Sequence, residues 1–289
     1  MKNKRVFVIG ANGMLGCSLV PYLIKQDYIV GKCGTTNTSE YVADMSIQSN
    51  AFSVLNKFNP NVIVNLAAYT NVDDCEKHPE IAYAVNTFIV KNIVSWIKKT
   101  SDKCILVQLS TDHVYDNNGP HEENDVTIVN HYASSKFAGE LFASSVNSVI
   151  LRTNFFGISD KNGKHSFSDW IISSLNNGEH IQVFNNVLFN PLLINRLLTV
   201  IKMVIEKRIF GLYNVGSNNG MSKSDFSIAI ANEFKMPVEY LKPCDINESN
   251  LFAKRPYDMR MNCSKFESVY NYRFPSLLEE IELLKTKYE

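Results

Sequence analysis

The stretch "RVFVIGANGMLG" (residues 5–16) decides the fold. It opens with "RVFVI", a short run of β-branched and aromatic residues that predicts a buried strand. Gly10, Gly13 and Gly16 follow at intervals of three, and the next residues show the apolar spacing of a helix. A tight strand–helix turn favours glycine by itself, but the position after the first strand favours a dinucleotide site. A pyrophosphate approaches backbone N–H groups only where side chains are absent.

Strands and helices alternate from this turn to about residue 154. The predicted strands cover residues 5–9, 28–33, 41–44, 62–68, 104–110 and 148–153, and the predicted helices cover 50–58, 79–99 and 132–145. This alternation predicts an α/β fold with a Rossmann-type, doubly wound parallel sheet. We assign residues 1–154 to an NAD(P)-binding domain.

The pattern loosens after residue 155. Predicted helices cover 167–176, 193–206, 222–234 and 276–287, with isolated strands at 180–184 and 212–215. We expect residues 155–289 to form mainly a smaller substrate-binding lobe that returns elements to the sheet.

Composition excludes several classes of partner. Lys and Arg balance Asp and Glu at 29 each, which disfavours a nucleic-acid binder or an anionic-membrane binder. The N-terminal apolar run is too short for a signal core, and no run reaches transmembrane length. The six cysteines form no CxxC pair, which is typical of reduced thiols. We therefore expect a cytoplasmic protein.

The end of the second strand lacks the acid that usually binds the ribose hydroxyls of NAD. No Asp or Glu lies between Asp27 and Glu40. Lys32, Thr35 and Thr36 are either solvated loop residues or acceptors of a 2′-phosphate. This absence favours NADP(H) over NAD(H).

Tyr132 and Lys136 in "HYASSKFAGE" are four residues apart on a predicted helix, so their side chains share one face. Carbonyl reduction requires a hydride donor and an acid that protonates the nascent alkoxide. An ammonium group one turn away lowers the tyrosine pKa from its usual value of about 10. A YxxxK pair is common by chance, but it carries weight next to "GANGMLG" and "LSTD".

Eight stretches together resemble the extended short-chain dehydrogenase/reductase superfamily, and within it the dTDP-4-dehydrorhamnose reductase group of sugar-nucleotide reductases. They are "GANGMLG", "VIVNLAAYTNVDDCE", "VNT", "LSTDHVYD", "HYASSKFAGE", "LRTNFFG", "GLYNVGS" and "RPYDMRMNCSKF". The resemblance implies that Tyr132 donates the proton, Lys136 assists it and Thr111 polarises the substrate carbonyl. Asn86 would support this site from the long helix.

The resemblance also implies binding residues. The cofactor would contact Gly10, Asn12, Gly13, Met14, Leu15, Asp44, Met45, Leu66, Ala67, Ala68, Tyr69, Tyr132 and Lys136. The substrate, a nucleotide-linked deoxysugar, would contact His113, Asn154, Phe155 and Arg255. Alternatively, Asp44 caps the end of a strand, and Ala67 and Ala68 only pack within a strand. The sequence leaves open whether the protein forms a homodimer.

"LSTDHVYD" (109–116) discriminates among related activities. Sugar-nucleotide 4,6-dehydratases resemble this group but carry Thr-Asp-Glu here, whereas this chain has His113 at the glutamate position. Dehydration is therefore disfavoured. The chain departs from the resemblance at two places. It has "NVLFNPLL" (186–193) where a "QxGxPT"-like stretch is expected, and Phe155 where a tryptophan is expected. The sequence therefore does not specify the sugar.

Other site types lack their motifs. The six histidines show no HExxH or comparable spacing, so we expect no metal site, and no G-x-S-x-G elbow is present. The sequence predicts NAD(P)H-dependent reduction of a 4-keto-6-deoxy sugar nucleotide in deoxysugar or surface polysaccharide biosynthesis. Two alternatives remain: an NAD-dependent sugar-nucleotide epimerase, and a non-catalytic regulatory subunit resembling that of methionine adenosyltransferase.

Overall fold

A computed structural model describes residues 4–100, 103–158 and 166–286. The chain divides into two compact units. Unit 1 comprises Met1–Thr111, Asn130–Arg152 and Leu198–Tyr213, and unit 2 comprises Asp112–Val129, Thr153–Leu197 and Asn214–Glu289. The boundary between residues 154 and 155 stays a prediction.

Most strands of the fold follow apolar runs of the sequence. They are β1 (Arg5–Ile9), β2 (Ile29–Gly34), β3 (Tyr41–Val42), β4 (Val62–Asn65), β5 (Ile105–Thr111), β6 (Ser148–Thr153), β7 (Phe155–Phe156), β8 (Ile181–Phe184), β9 (Leu188–Phe189), β10 (Leu192–Leu193), β11 (Gly211–Val215), β12 (Met221–Ser222) and β13 (Leu241–Cys244).

The helices are α1 (Met14–Ile24), α2 (Gln48–Phe58), α3 (Val72–Lys77), α4 (Pro79–Tyr83), α5 (Ile89–Thr100), α6 (His131–Ala143), α7 (Phe167–Asn176), α8 (Ile194–Lys207), α9 (Lys223–Glu233), α10 (Ser264–Tyr270) and α11 (Leu277–Lys285). A π-helical turn (Ala84–Phe88) joins α4 to α5, and 3₁₀ turns cover Asp112–Val114, Val238–Tyr240 and Ile246–Glu248. None of the helices in the described ranges combines the length and the apolar character that a bilayer crossing requires.

The central sheet confirms the predicted fold class. Its seven strands follow the order β11-β6-β5-β4-β1-β2-β3, and the pairs β1/β2, β1/β4, β2/β3 and β4/β5 are parallel. This is the doubly wound order, in which ligands bind at the carboxyl ends of the strands where the order reverses, here between β1 and β4. β11 (Gly211–Val215), from the second half of the chain, joins the sheet beside β6.

Burial explains the regularity of the central strands. All residues of β4, β5 and β6 are buried, as continuous apolar runs predict for a parallel sheet that is covered on both faces. One core cluster joins Phe7 of β1 to Phe58 of α2 and Trp96 of α5. The rigid sheet fixes where the loops at its carboxyl edge begin.

The structure differs from the predicted elements in several places. The predicted helix 79–99 is interrupted by the π turn, and the predicted strand 62–68 ends at Asn65. The predicted helix 276–287 is observed as Leu277–Lys285, and residue 287 lies outside the described residues. The predicted strand 41–44 is observed as Tyr41–Val42. The other two-residue strands, together with β13, α3 and α10, were not predicted.

Unit 2 contains three small sheets, in which β10 pairs with β7, β12 with β9, and β13 with β8. Its apolar core includes a group of aromatic rings around Phe226. The ring of Phe226 in α9 lies 5.0 Å from Phe156, 5.2 Å from Phe189 and 5.8 Å from Phe167, centroid to centroid. Such edge-to-face and stacked pairs add to the free energy of apolar burial.

Candidate active site

The glycine turn after β1 packs closely against neighbouring backbone at the start of α1. Gly10 has φ +78°, and a Cβ there would lie 2.8 Å from the backbone nitrogen of Ala67. A Cβ on Gly16 would lie 2.6 Å from the carbonyl carbon of Ala11. Gly13 is the N-cap of α1 and makes no side-chain capping bond. The first N–H groups of a helix have no acceptor within that helix, which makes a helix start suited to an anion.

A cluster of hydroxyl groups follows β2. The side-chain amide of Asn12 donates to Thr36 Oγ1 at 2.7 Å, to Thr38 Oγ1 at 2.9 Å and to Ser39 Oγ at 2.8 Å. Asn12 and Thr36 were singled out from the sequence, but Thr38 and Ser39 were not. The hydroxyl-rich run "TTNTS" (35–39) was the signal for them.

Two predicted adenine contacts have structural partners. The carboxylate of Asp44 accepts hydrogen bonds from Ser46 N at 2.9 Å and from Ser46 Oγ at 2.6 Å, as a capping residue does. Met45 is 2 % exposed, and its carbonyl oxygen accepts from the amide of Asn92 at 3.0 Å. Their cofactor role stays a prediction.

The loop after β4 is held by two asparagines. Asn65 donates to Gln108 Oε1 at 2.8 Å and accepts from Ala67 N at 3.2 Å. Asn86, in the π turn, accepts from Tyr69 N at 2.8 Å and donates to Tyr69 O at 3.1 Å and to Ser135 Oγ at 2.9 Å. Loop residues Leu66 to Tyr69 are partly exposed at the edge where Gly10 lies. The π turn is thus tied to a predicted site, as such turns often are.

Asn86 also reaches the helix that carries the tyrosine–lysine pair. Ser135, which accepts its hydrogen bond, donates to Tyr132 O at 2.9 Å. The adjacent Thr87 donates from Oγ1 to Ser135 O at 2.7 Å. The loop after β4, the π turn and α6 are therefore joined by hydrogen bonds, and Asn86 contacts α6 through Ser135. Its supporting role stays a prediction.

Tyr132 and Lys136 lie in the first half of α6, whose N-cap Asn130 accepts from Ala133 N at 2.9 Å. They are 8 % and 5 % exposed, and Thr111, the last residue of β5, is 3 % exposed. Lys136 Nζ donates to the carbonyl oxygen of Leu109, in β5, at 2.7 Å. This bond joins α6 to the strand segment that ends in Thr111.

The environment of Lys136 adjusts its protonation. Burial lowers the pKa of Lys136 from its usual value to about 8, while the carboxylate of Glu140 acts in the opposite direction. The lysine therefore remains mostly charged at neutral pH, and a charged ammonium next to a phenol favours phenolate.

A buried ion pair lies behind this lysine. Glu140 is one helical turn from Lys136, and Arg152 of β6 donates to its carboxylate from Nε at 3.0 Å and from Nη2 at 2.6 Å. Ser110 Oγ also donates to Glu140. Sequence reasoning missed Glu140 and Arg152, although the i, i+4 spacing from Lys136 was a signal for Glu140.

Unit 2 holds the four predicted substrate contacts, each of them partly exposed: His113, Asn154, Phe155 and Arg255. Asn154 Nδ2 donates to Asp112 Oδ2 at 2.8 Å. Phe155 lies in β7, paired with Leu192. Burial and the positive charges of Lys223 and Arg255 lower the pKa of His113 to about 3. His113, Arg255 and Asp112 thus belong to one electrostatic cluster with Lys223, a residue that sequence reasoning missed.

Within the described part of the chain, no group of three or more His, Cys, Asp or Glu side chains could hold a metal ion. Two of the cysteines are poor metal ligands because their thiols stay protonated at neutral pH. Burial raises the pKa of Cys33 and Cys104 to about 12 each.

Comparisons with known proteins agree with this geometry. The family model described as "RmlD substrate binding domain" matches residues 4–288. The chain is 26% identical to the probable low-salt glycan biosynthesis reductase of Haloferax volcanii, covering 98% of this chain and 97% of that protein. It is also 26% identical to methionine adenosyltransferase 2 subunit beta of Bos taurus, covering 92% and 83%.

Among solved structures, the chain is similar to dTDP-4-dehydrorhamnose reductase from Bacillus anthracis in complex with NADP. The TM-score is 0.89 at 27% identity, covering 99% of this chain and 100% of that one.

Proposed function

The chain belongs to the RmlD substrate binding domain family, and we propose that it uses NAD(P)H to reduce a 4-keto-6-deoxy sugar nucleotide. The product is the corresponding 6-deoxyhexose nucleotide, a building block of surface polysaccharides. One observation carries the proposal. Tyr132 and Lys136 are both buried on α6, and Lys136 is hydrogen-bonded to β5 two residues before Thr111. This arrangement suits protonation of a carbonyl oxygen.

Unit 1 fits a nicotinamide dinucleotide. Gly10 lets the turn after β1 pack closely on the backbone of Ala67, and the first N–H groups of α1, after its N-cap Gly13, would bind a pyrophosphate. Gly10, Asn12, Gly13, Met14 and Leu15 would surround that group. When bound, the reduced cofactor supplies the hydride that becomes the new C–H bond at sugar C4.

The hydroxyl cluster supports NADP(H) over NAD(H). Thr36, Thr38 and Ser39 converge on the amide of Asn12, and Lys32 lies on the same strand end. Hydroxyl and ammonium groups are suitable donors to a 2′-phosphate, whereas an acid at this position would bind the ribose hydroxyls and repel the phosphate.

The residues of the chain carry out the proton transfer. Thr111 donates a hydrogen bond to the carbonyl oxygen and so favours the negative charge that develops there. Tyr132 then gives its phenolic proton to that oxygen as the C=O π bond breaks. The Lys136 ammonium stabilises the phenolate that remains, and Asn86 holds the backbone around Tyr132 in place. General-acid catalysis of this type contributes about 10²- to 10⁴-fold to the rate.

The test offers purified protein NADPH or NADH with a panel of 4-keto-6-deoxy sugar nucleotides carrying dTDP, UDP or GDP. We expect loss of the near-ultraviolet absorbance of the reduced nicotinamide, with one stereoisomer formed at C4. Tyr132→Phe should lower kcat by about 10²- to 10⁴-fold with cofactor affinity unchanged. If the cofactor is not oxidised with any member of the panel, the reductase proposal fails.

A regulatory role is the second candidate, because a relative covering 92% of this chain is named as a subunit of methionine adenosyltransferase. A regulatory subunit would bind its partner enzyme without needing turnover. Affinity purification that returns such a synthetase, together with no effect of Tyr132→Phe on any measured activity, would favour this role. The epimerase alternative requires a second panel of 4-hydroxy sugar nucleotides, because an NAD-dependent epimerase would invert C4 of such a substrate with no net change in nicotinamide absorbance.

A further inference from the structure

The end of β5 is joined to α6 through two successive residues. The carbonyl oxygen of Leu109 accepts a hydrogen bond from Lys136 Nζ at 2.7 Å. The hydroxyl of Ser110, the next residue, donates to the carboxylate of Glu140. Lys136 and Glu140 are one helical turn apart in α6, so both bonds come from the same face of the helix. The two bonds therefore fix the strand against the helix immediately before Thr111.

Glu140 connects this contact to the neighbouring strand. Arg152 lies in β6, next to β5 in the sheet, and donates to Glu140 from Nε at 3.0 Å and from Nη2 at 2.6 Å. The side chains of Ser110, Glu140 and Arg152 are all buried. A carboxylate that accepts from donors on two strands satisfies all of them in one position only. Glu140 thus fixes β5, β6 and α6 relative to one another.

The hydroxyl of Ser110 does more than fill space. All seven residues of β5 are buried, and an apolar side chain of similar size at position 110 would pack in the same place. A hydrogen bond differs from an apolar contact because it depends on direction as well as distance. A buried polar network whose members are satisfied holds one arrangement. The bond from Ser110 to Glu140 therefore determines where the strand ends.

We propose that Ser110 is a positioning residue, which through Glu140 holds Thr111 in place relative to Tyr132. The inference rests on the proposed function, in which Thr111 and Tyr132 act on the same carbonyl oxygen. Proton transfer requires donor and acceptor atoms within about 2.6–3.2 Å of each other. A misplacement of about 1 Å can lower a rate by about 10²-fold. A shift of the strand end would move Thr111, whereas Tyr132 would stay on α6.

The experiment compares Ser110→Ala and Ser110→Cys with the wild type. A cysteine is close to serine in size but is a weak donor, so this variant removes the hydrogen bond without leaving a cavity. The matched control is Ser148→Ala, because Ser148 is a buried serine of β6 that donates to the carbonyl oxygen of Ala143, the last residue of α6, at 2.7 Å. The control also removes a buried hydrogen bond between a strand and α6, but at the end of the helix opposite Tyr132.

Stopped-flow absorbance follows the oxidation of bound NADPH in a single turnover, which separates chemistry from product release. The substrate is a 4-keto-6-deoxy sugar nucleotide that the wild type reduces. Both Ser110 variants should lower the single-turnover rate constant by about tenfold or more, with KM and NADPH affinity within about threefold of the wild type. Ser148→Ala should lose a similar free energy of unfolding in urea but keep its rate constant within about threefold of the wild type.

The proposal is overturned if both Ser110 variants react at the wild-type rate, if their loss is confined to KM, or if Ser148→Ala loses as much rate. Ser110→Cys keeps the test valid if Ser110→Ala does not fold. Failure of the proposed function gives a different pattern, in which the wild type reduces no 4-keto sugar nucleotide, and then both proposals fail. Reduction by the wild type at a rate that the Ser110 variants match refutes the role of Ser110 alone.

Discussion

Replacing Glu140 by Gln should destabilise unit 1 through Arg152. The two side chains are 4 % and 1 % exposed, and Arg152 Nη2 lies 2.6 Å from Glu140 Oε2. Removing one partner of a buried ion pair leaves an uncompensated charge and costs about 3–5 kcal/mol. Gln keeps one oxygen that can still accept from Arg152, so we expect the lower end, about 3 kcal/mol. That is a large part of the 5–15 kcal/mol typical of a whole protein.

The assay is urea unfolding followed by the fluorescence of Trp96. Trp96 lies in α5 of unit 1, is 1 % exposed, and donates from Nε1 to Asn56 Oδ1 at 2.8 Å. The second tryptophan, Trp170, lies in unit 2, so a Trp170→Phe background limits the signal to unit 1. The matched control is Glu80→Gln, because Glu80 is a unit 1 glutamate whose side chain is 70% exposed. We expect the control to change stability by less than about 0.5 kcal/mol.

A double variant separates the charge effect from simple loss of packing. Replacing both charges, as Glu140→Gln with Arg152→Met, removes the stranded guanidinium and should be less destabilising than the sum of the single changes. The reasoning is refuted if Glu140→Gln loses less than about 1 kcal/mol, or if the double variant loses the full sum of the two.

Three further predictions concern unit 1. Reductase kcat should fall as pH rises through about 8, where Lys136 loses its proton. In Glu140→Gln this fall should move to lower pH, because the carboxylate of Glu140 raises the pKa of Lys136. Identical pH–rate profiles for the two proteins would contradict this. Gly10→Ala should weaken NADP⁺ binding and lower the free energy of unfolding more than Gly178→Ala does. Gly178 is the control because it has a similar φ of +71° but no atom within 4 Å of an added Cβ. Equal losses of stability in the two variants would exclude a close contact between the backbones of Gly10 and Ala67. Thr36→Asp should weaken NADPH binding by about tenfold or more and leave NADH binding unchanged, and Thr36→Asn is the neutral control. Fluorescence titration measures both affinities. Equal effects on the two cofactors would exclude a 2′-phosphate at the hydroxyl cluster.

The parts of the fold that the sequence predicts well are those with a long, uniform pattern. The strands at residues 5–9 and 148–153 and the helix at 167–176 have the predicted bounds. Continuous apolar runs and helical spacing encode these elements locally. A two-residue strand such as Leu188–Phe189 has no period to detect, because it exists only through its pairing with Met221–Ser222.

The residues of the candidate site show the same difference between a local sequence pattern and a tertiary contact. Tyr132 and Lys136 were singled out because a helix puts residues i and i+4 on one face and because the motifs around them resemble the reductase group; their roles stay predictions. Arg152 was not, because nothing next to it in the sequence indicates that Glu140, twelve residues earlier, supplies the opposite charge. Lys223 was missed for a related reason: a lysine at the start of a helix is normally solvated. Only its tertiary neighbours Asp112 and Arg255 distinguish it.

His113 shows how a tertiary environment changes the chemical meaning of a residue. Its ordinary pKa of about 6.5 would let a histidine take and give protons at neutral pH. With the pKa lowered to about 3 by burial, Lys223 and Arg255, His113 is an ineffective proton donor near pH 7, because almost none of it is protonated. It can still hydrogen-bond to a substrate as a neutral imidazole. An elimination of water would require an acid and a base in this segment, whereas a carbonyl reduction requires one acid, which Tyr132 supplies in the proposed mechanism.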